Sequence, residues 1–305
     1  MAELTDRGTA FLERRMGDWA RARLPGPLAD LAMFVLKQGW AALFGALFLV
    51  AIVATRLIWQ DDWPLARYDA LFLFAVATQV AFVALRLESW AEVRVIALFH
   101  LTGTAMEVFK LDAGSWDYPE TGVFEIAGVP LFSGFMYAAV GSYIARVIRV
   151  FRMRFAPYPP FPATVALAAA IYANFFWHHY GPDMRVVLFA LTVGMFARTR
   201  VWFHVSERAY WMPMPAAAFL AAFAIWVAEN VGTFTRTWVY AGQAADEFVA
   251  WGKLGSWYLL LWVSFVTVTL VSREALRRRP WAPSPERRDP GGPAAAPVLG
   301  GDAPR

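Results

Sequence analysis

Residues 107–130, EVFKLDAGSWDYPETGVFEIAGVP, take an apolar helix out into a polar, aromatic, glycine-rich loop and on into a second apolar helix. Upstream, His100 lies about two helical turns before Glu107, so His100, Glu107 and Lys110 share one helix face. What that face means depends on its solvent. The chain of 305 residues is 59% hydrophobic and only 17% charged, too apolar for an ordinary soluble domain. The composition predicts a polytopic membrane protein, and an ionisable face inside a membrane helix is costly unless paired or wetted, which makes function its default reading.

Outward from that stretch, eight apolar segments near the length that crosses a bilayer are predicted at 34–57, 68–87, 93–110, 130–150, 162–180, 185–204, 213–234 and 255–273. The expected fold is an all-α transmembrane bundle of about eight helices over 31–275. Prolines and glycines fall mainly at its joints. Gly134, Ala138 and Ser142, at spacing four, form a small-residue ridge that lets a neighbouring helix approach. Residues 1–30 are expected to be retained, with no cleavable signal peptide predicted, and Phe11, Leu12, Met16 and Trp19 gather on one side, as in a helix lying in the membrane interface. Residues 276–305 are expected to be a cytoplasmic tail, disordered where Pro, Ala, Gly and Arg dominate from Pro280 onward.

Charge sets the orientation. Of the 28 Lys and Arg residues, only Arg56, Arg67, Lys110, Arg185, Arg236 and Lys253 fall on the face opposite the termini. The positive-inside rule therefore puts both ends in the cytoplasm of a multi-pass inner-membrane protein and the loop 111–129 outside. The basic balance records orientation, so no nucleic-acid partner is expected, and membrane lipid is. Nothing in the sequence sets an oligomeric state. The absence of cysteine excludes disulfides, thiolate metal sites and a cysteine nucleophile. No HExxH or histidine-box pattern and no phosphate or dinucleotide loop occurs, so neither metal nor cofactor is expected.

In that topology several polar residues converge on the outer side: Glu107 and Lys110, then Asn174 and His178, then Glu229 and Asn230. Trp116, Tyr118 and Trp257 lie beside them in sequence. Lys110-Leu111 with Gly114-Ser115-Trp116, echoed by Lys253-Leu254-Gly255-Ser256-Trp257, hints at a four-plus-four duplication. Each residue has a plainer reading too. Glu107 and Lys110 can be a helix-end ion pair, His100 a buried neutral histidine, and His179 an interfacial one. Glu229 follows Trp226, Val227 and Ala228, where an unpaired carboxylate is expensive.

The stretches FHLTGTAMEVFK, GSWDYPE, GVPLFSGFMYAAVGSYIAR, NFFWHHY, AENVGTF and KLGSW resemble a bacterial polytopic membrane-protein family known only as a domain of unknown function, over roughly residues 30–275. That resemblance implies a membrane protein and brings no activity. Glu107, Gly114, Tyr118 and Gly128-Val129-Pro130 also resemble, in order, a pattern of the membrane carotenoid-biosynthesis hydratases, which implies isoprenoid or lipid chemistry.

Three functions suit these residues. The first is an enzyme acting on a lipid or isoprenoid substrate from the outer leaflet. In it Glu107 is the general acid, since burial favours a protonated carboxyl, Glu229 the complementary carboxylate and His178 a proton shuttle. His100, Lys110, Trp116, Tyr118, Asn174, Asn230 and Trp257 would bind substrate. The alternatives are a proton-coupled transporter or channel and a structural or assembly protein.

Overall fold

The computed structural model describes residues 15–60, 62–205, 208–244, 247–271 and 273–279. Helices dominate: α1 (Gly26–Ala41), α2 (Leu43–Ile58), α3 (Arg67–Ala84), α4 (Trp90–Asp112), α5 (Phe132–Val150), α6 (Phe161–Trp177), α7 (Arg185–Phe196), α8 (Met214–Phe234) and α9 (Trp251–Val271). Short strands close the two ends of the bundle. At one end lie β1 (Trp116–Asp117), β2 (Glu125–Ile126), β3 (Val129–Pro130) and β7 (Val239–Tyr240). At the other, β4 (Arg154–Ala156), β5 (Arg200–Val205) and β6 (Arg208–Pro213) form one antiparallel sheet.

By length and composition, α3, α8 and α9 can each cross a membrane, and α1 with α2 makes a fourth crossing if that pair, bent by 70°, counts as one span. The outer surface suits lipid, because Val50, Leu57, Leu191, Phe219 and Leu220 are all exposed. Of the three single-helix candidate spans α9 is the most enclosed, its Trp262 stacked on Phe196 of α7 at 4.2 Å.

α4 and α5 form the closest helix pair, and small residues make that possible. An added Cβ at Gly134 would lie 2.4 Å from His100 Nδ1, and one at Gly141 2.7 Å from the Phe99 ring. The predicted ridge Gly134–Ala138–Ser142 is thus the face that meets α4. At the sheet end the pair is pinned by a buried ion pair, Arg146–Glu88 at 2.9 Å, which Ser142 and Gln79 complete as donors. Ser89 and Glu92 form a reciprocal cap that starts α4, and Arg149 binds Glu92 at 3.0 Å.

At the opposite end the loop after α4 is held to α3. Asp69 accepts from the backbone N–H groups of Val123 and Phe124, and Arg67 binds Glu120 at 2.8 Å. Gly122 is needed there, since a Cβ would sit 2.6 Å from Asp69 Oδ1. The β2–β3 hairpin turns through Ala127 and Gly128, at φ 51° and 77°, the mirror-image turn that matches strand twist.

Three expectations need correcting. The predicted segment 34–57 is broken at Ala42, because α1 is drawn across the sheet: Asp30 accepts from Arg208 and Tyr210, and Lys37 donates to the His204 carbonyl. The predicted helix 185–204 stops at Phe196. Residues 200–205 alternate buried Val201, Phe203 and Val205 with less buried neighbours, which is strand periodicity. The chain is therefore mostly helical, not all-α. After α9, Phe155 donates its backbone N–H to Ala275 and accepts from Arg277, both at 2.9 Å, so the first tail residues lie along β4. Residues 15–23 are helical, while Phe11, Leu12 and 280–305 lie outside the described residues.

Candidate functional site

Glu107 sits one turn before the end of α4. Beyond Asp112 the chain turns through Gly114, at φ 65°, and returns two side chains to that carboxyl. Trp116 Nε1 donates to Glu107 Oε2 at 2.7 Å, and the Tyr118 hydroxyl donates to the same oxygen at 2.6 Å. From α5, the Tyr137 hydroxyl donates to Oε1 at 2.6 Å.

The same device occurs a second time. Glu229 lies one turn before the end of α8, Arg236 turns the chain at φ 52°, and Tyr240 donates its hydroxyl to Glu229 Oε1. The indole comes here from α9, with Trp257 Nε1 donating to Oε2. Both carboxyls are buried, at 2% and 5% exposure. β1 and β7 join the two halves: Trp116 pairs with Tyr240 and Asp117 with Val239, and the Trp116 and Tyr240 rings meet edge-on at 5.9 Å.

This geometry constrains the chemistry. An indole only donates, so each glutamate keeps one oxygen as an acceptor; a phenol both donates and accepts, so the other oxygen can take up or lose a proton without breaking its contact. Burial, and then the neighbouring carboxylate, push the Tyr118 and Tyr240 hydroxyls well above the ordinary phenol range and keep them protonated.

Three cations complete the site. Lys110 Nζ lies 2.8 Å from His179 Nε2 and 3.5 Å from His178 Nε2. Lys253 Nζ sits over the Tyr240 ring at 3.9 Å and the Trp116 ring at 5.6 Å. Arg185 is held by Asp183 at 2.6 Å. All three open, with both glutamates, onto one cavity of about 880 Å³ whose further walls are largely apolar, among them Phe48, Ile52, Met106, Ile225 and Leu259.

Residues 30–265 match the family described as "Protein of unknown function (DUF817)". The chain belongs to that family. Over 242 residues it is 41% identical to the "Uncharacterized protein YoaT" of Bacillus subtilis (strain 168), a match covering 79% of this chain and 91% of that protein. No solved structure matches the chain.

In this DUF817 fold, eight of the ten residues singled out from sequence face the cavity: Glu107, Lys110, Trp116, Tyr118, Asn174, His178, Glu229 and Trp257. Two do not. His100 packs between α4 and α5, its ring 4.7 Å from that of Phe135. Asn230 ties down the chain before α9, accepting from the Val249 N–H at 2.8 Å and donating to the Trp226 carbonyl. Asn174 is half structural: it accepts from the Met184 N–H at 3.1 Å, and its own carbonyl lies 2.8 Å from His178 Nδ1.

Sequence reasoning passed over Tyr137, Arg185 and Tyr240 as site residues, and noted Lys253 only as the echo of Lys110. A signal for Tyr240 was there: EVFKLDAGSWDY (107–118) and ENVGTFTRTWVY (229–240) both place Trp nine and Tyr eleven residues after Glu. For Lys253 the Lys…Gly-Ser-Trp echo of Lys110 was the signal, whereas Tyr137 carries no such mark, because only helix packing brings it to the site.

Proposed function

We propose that this protein is a multi-pass enzyme of the bacterial inner membrane, performing acid–base chemistry on a lipid-dissolved substrate, an isoprenoid among the candidates, taken from the outer leaflet. The observation that carries this reading is two buried carboxyls, each with a phenol on one oxygen, opening onto one cavity with largely apolar walls. Glu107 donates a proton to the substrate and Glu229 accepts one from it or from an attacking water. Half-buried His178, beside Lys110, exchanges protons with the exterior. Eight crossings with both ends cytoplasmic put this cavity at the outer face. The twice-used Glu, Trp and Tyr pattern supports a four-plus-four duplication in which α4, β1 and α5 correspond to α8, β7 and α9.

The test compares lipid extracts of a deletion strain and its parent. A lipid species changed by the deletion should be restored by the wild-type gene and not by Glu107→Gln, with the variant present in the membrane at normal level. Full restoration by the variant would sink the enzyme reading. A proton-coupled transporter is the second reading, favoured by the 70° break between α1 and α2, because the cavity wall includes Gln38 and Gly39 before that break and Gly45 and Phe48 after it. Proton-driven solute uptake by proteoliposomes, lost in Glu229→Gln, would establish it.

A further inference from the structure

The two glutamates of the cavity have their oxygens occupied by neutral donors. Among the described residues neither is within ion-pair distance of a lysine or arginine. The cations beside them are therefore not there to neutralise them by contact. Lys110, only 5% exposed, has two imidazoles as its hydrogen-bond partners, and Lys253 lies against two aromatic rings. Such partners hold an ammonium in place without pairing its charge at contact distance, and the Glu229 carboxyl attracts Lys253 only from beyond ion-pair range. Among the described residues, Arg185 is the one of the three cations in a contact ion pair, with Asp183. Lys110 is also close enough to Lys253 and Arg185 to be repelled by both.

Gathering like charges on a part-buried wall is costly, and an anion between them reverses the sign of that cost. Most of the rest of the wall disfavours a wholly polar ligand, since Phe48, Ile52, Met106, Ile225 and Leu259 present only hydrocarbon and thioether. About 880 Å³ also lies toward the upper end of the ~300–1,000 Å³ typical of small-molecule sites.

We propose that Lys110, Lys253 and Arg185 form a phosphate subsite at the polar end of this cavity, and that the ligand is a phosphate-headed amphiphile whose apolar tail runs along the Phe48, Ile52 and Leu259 wall. Two lysines and an arginine suit a phosphate dianion, to which each brings several donors. The inference rests on reading the cavity as a lipid-phase substrate site and names the class of that substrate. The carboxyls then stand where the head joins the tail.

The experiment titrates the full chain, purified in a neutral maltoside detergent, with dodecyl phosphate, dodecanol and inorganic phosphate, following total tryptophan fluorescence and the unfolding midpoint by heating. Dodecyl phosphate should bind at least tenfold more tightly than either fragment, and Lys253→Gln and Arg185→Gln should each weaken it at least tenfold. Arg185 is half exposed, so that variant keeps the test available should Lys253→Gln not fold. Equal affinity for dodecanol, equal affinity for inorganic phosphate, or unchanged binding in both variants would each overturn the proposal. Glu107→Gln separates the two readings: loss of lipid conversion without any dodecyl phosphate binding leaves the enzyme and removes the phosphate subsite, whereas binding with full conversion by Glu107→Gln leaves the subsite and removes the enzyme.

Discussion

Gly134 has no room for a methyl group: its Cβ would meet His100 Nδ1 at 2.4 Å and Thr104 Oγ1 at 2.7 Å, so Gly134→Ala must push α5 off α4. The expected loss is about 1–3 kcal/mol, the usual cost of overpacking. Gly194, in α7, has nothing within 4 Å, so Gly194→Ala should instead raise stability by up to about 1 kcal/mol through helix propensity. Thermal unfolding in detergent reads both, and equal effects would mean that the α4–α5 spacing is not set at Gly134. The tyrosines of the site give a pH dependence. Tyr118 and Tyr240 are held above the phenol value of about 10. A group raised on folding contributes fully below its unfolded pKa, so this contribution is intact below about pH 10 and is lost as pH climbs past it. The unfolding midpoint should therefore fall more steeply above about pH 10 in the wild type than in Tyr118→Phe.

The start of α4 and the end of α5 are coupled through the Glu88–Arg146 pair, both of whose side chains are almost wholly buried. Removing one partner strands the other's charge, and Arg146→Met alone should cost about 3–5 kcal/mol. Adding Glu88→Gln should recover most of that loss, because Gln79 and Ser142 remain to satisfy the amide. Chemical unfolding of the wild type, both single variants and the double variant checks this, and an additive double variant would show that the pair is not coupled. At its other end α4 delivers Glu107, so a shift of this anchor also disturbs the site; α4 acts as a strut between the sheet end and the cavity.

For the whole molecule the consequence is a polarised bundle, with the sheet, the end of α5 and the arginine-rich segments at one face and the cavity with β1 and β7 at the other. Reporter fusions after Arg152 and after Asp183 should report cytoplasm and exterior respectively, and the reverse at both positions would invert the topology.

Legibility of the chain followed the range of the forces involved. Helical content, the polar loop of 107–130 and the small-residue face of α5 were readable because hydrophobicity, turn chemistry and residue size act within a few residues of the chain. The break at Ala42 was not, since it answers to Asp30 and Lys37 reaching β6 and β5 across 167 or more residues of sequence. The strand of 200–205 was hidden in a hydrophobic run whose period of two is short beside the helical segments flanking it. The carboxyls could be picked out because a buried charge is expensive anywhere in a membrane-like sequence. The donation of Tyr137 and Trp257 to them, the exclusion of His100 from the cavity, and the opening of Lys110 and Lys253 onto one cavity were decided only by tertiary packing, which sets which helix faces oppose one another.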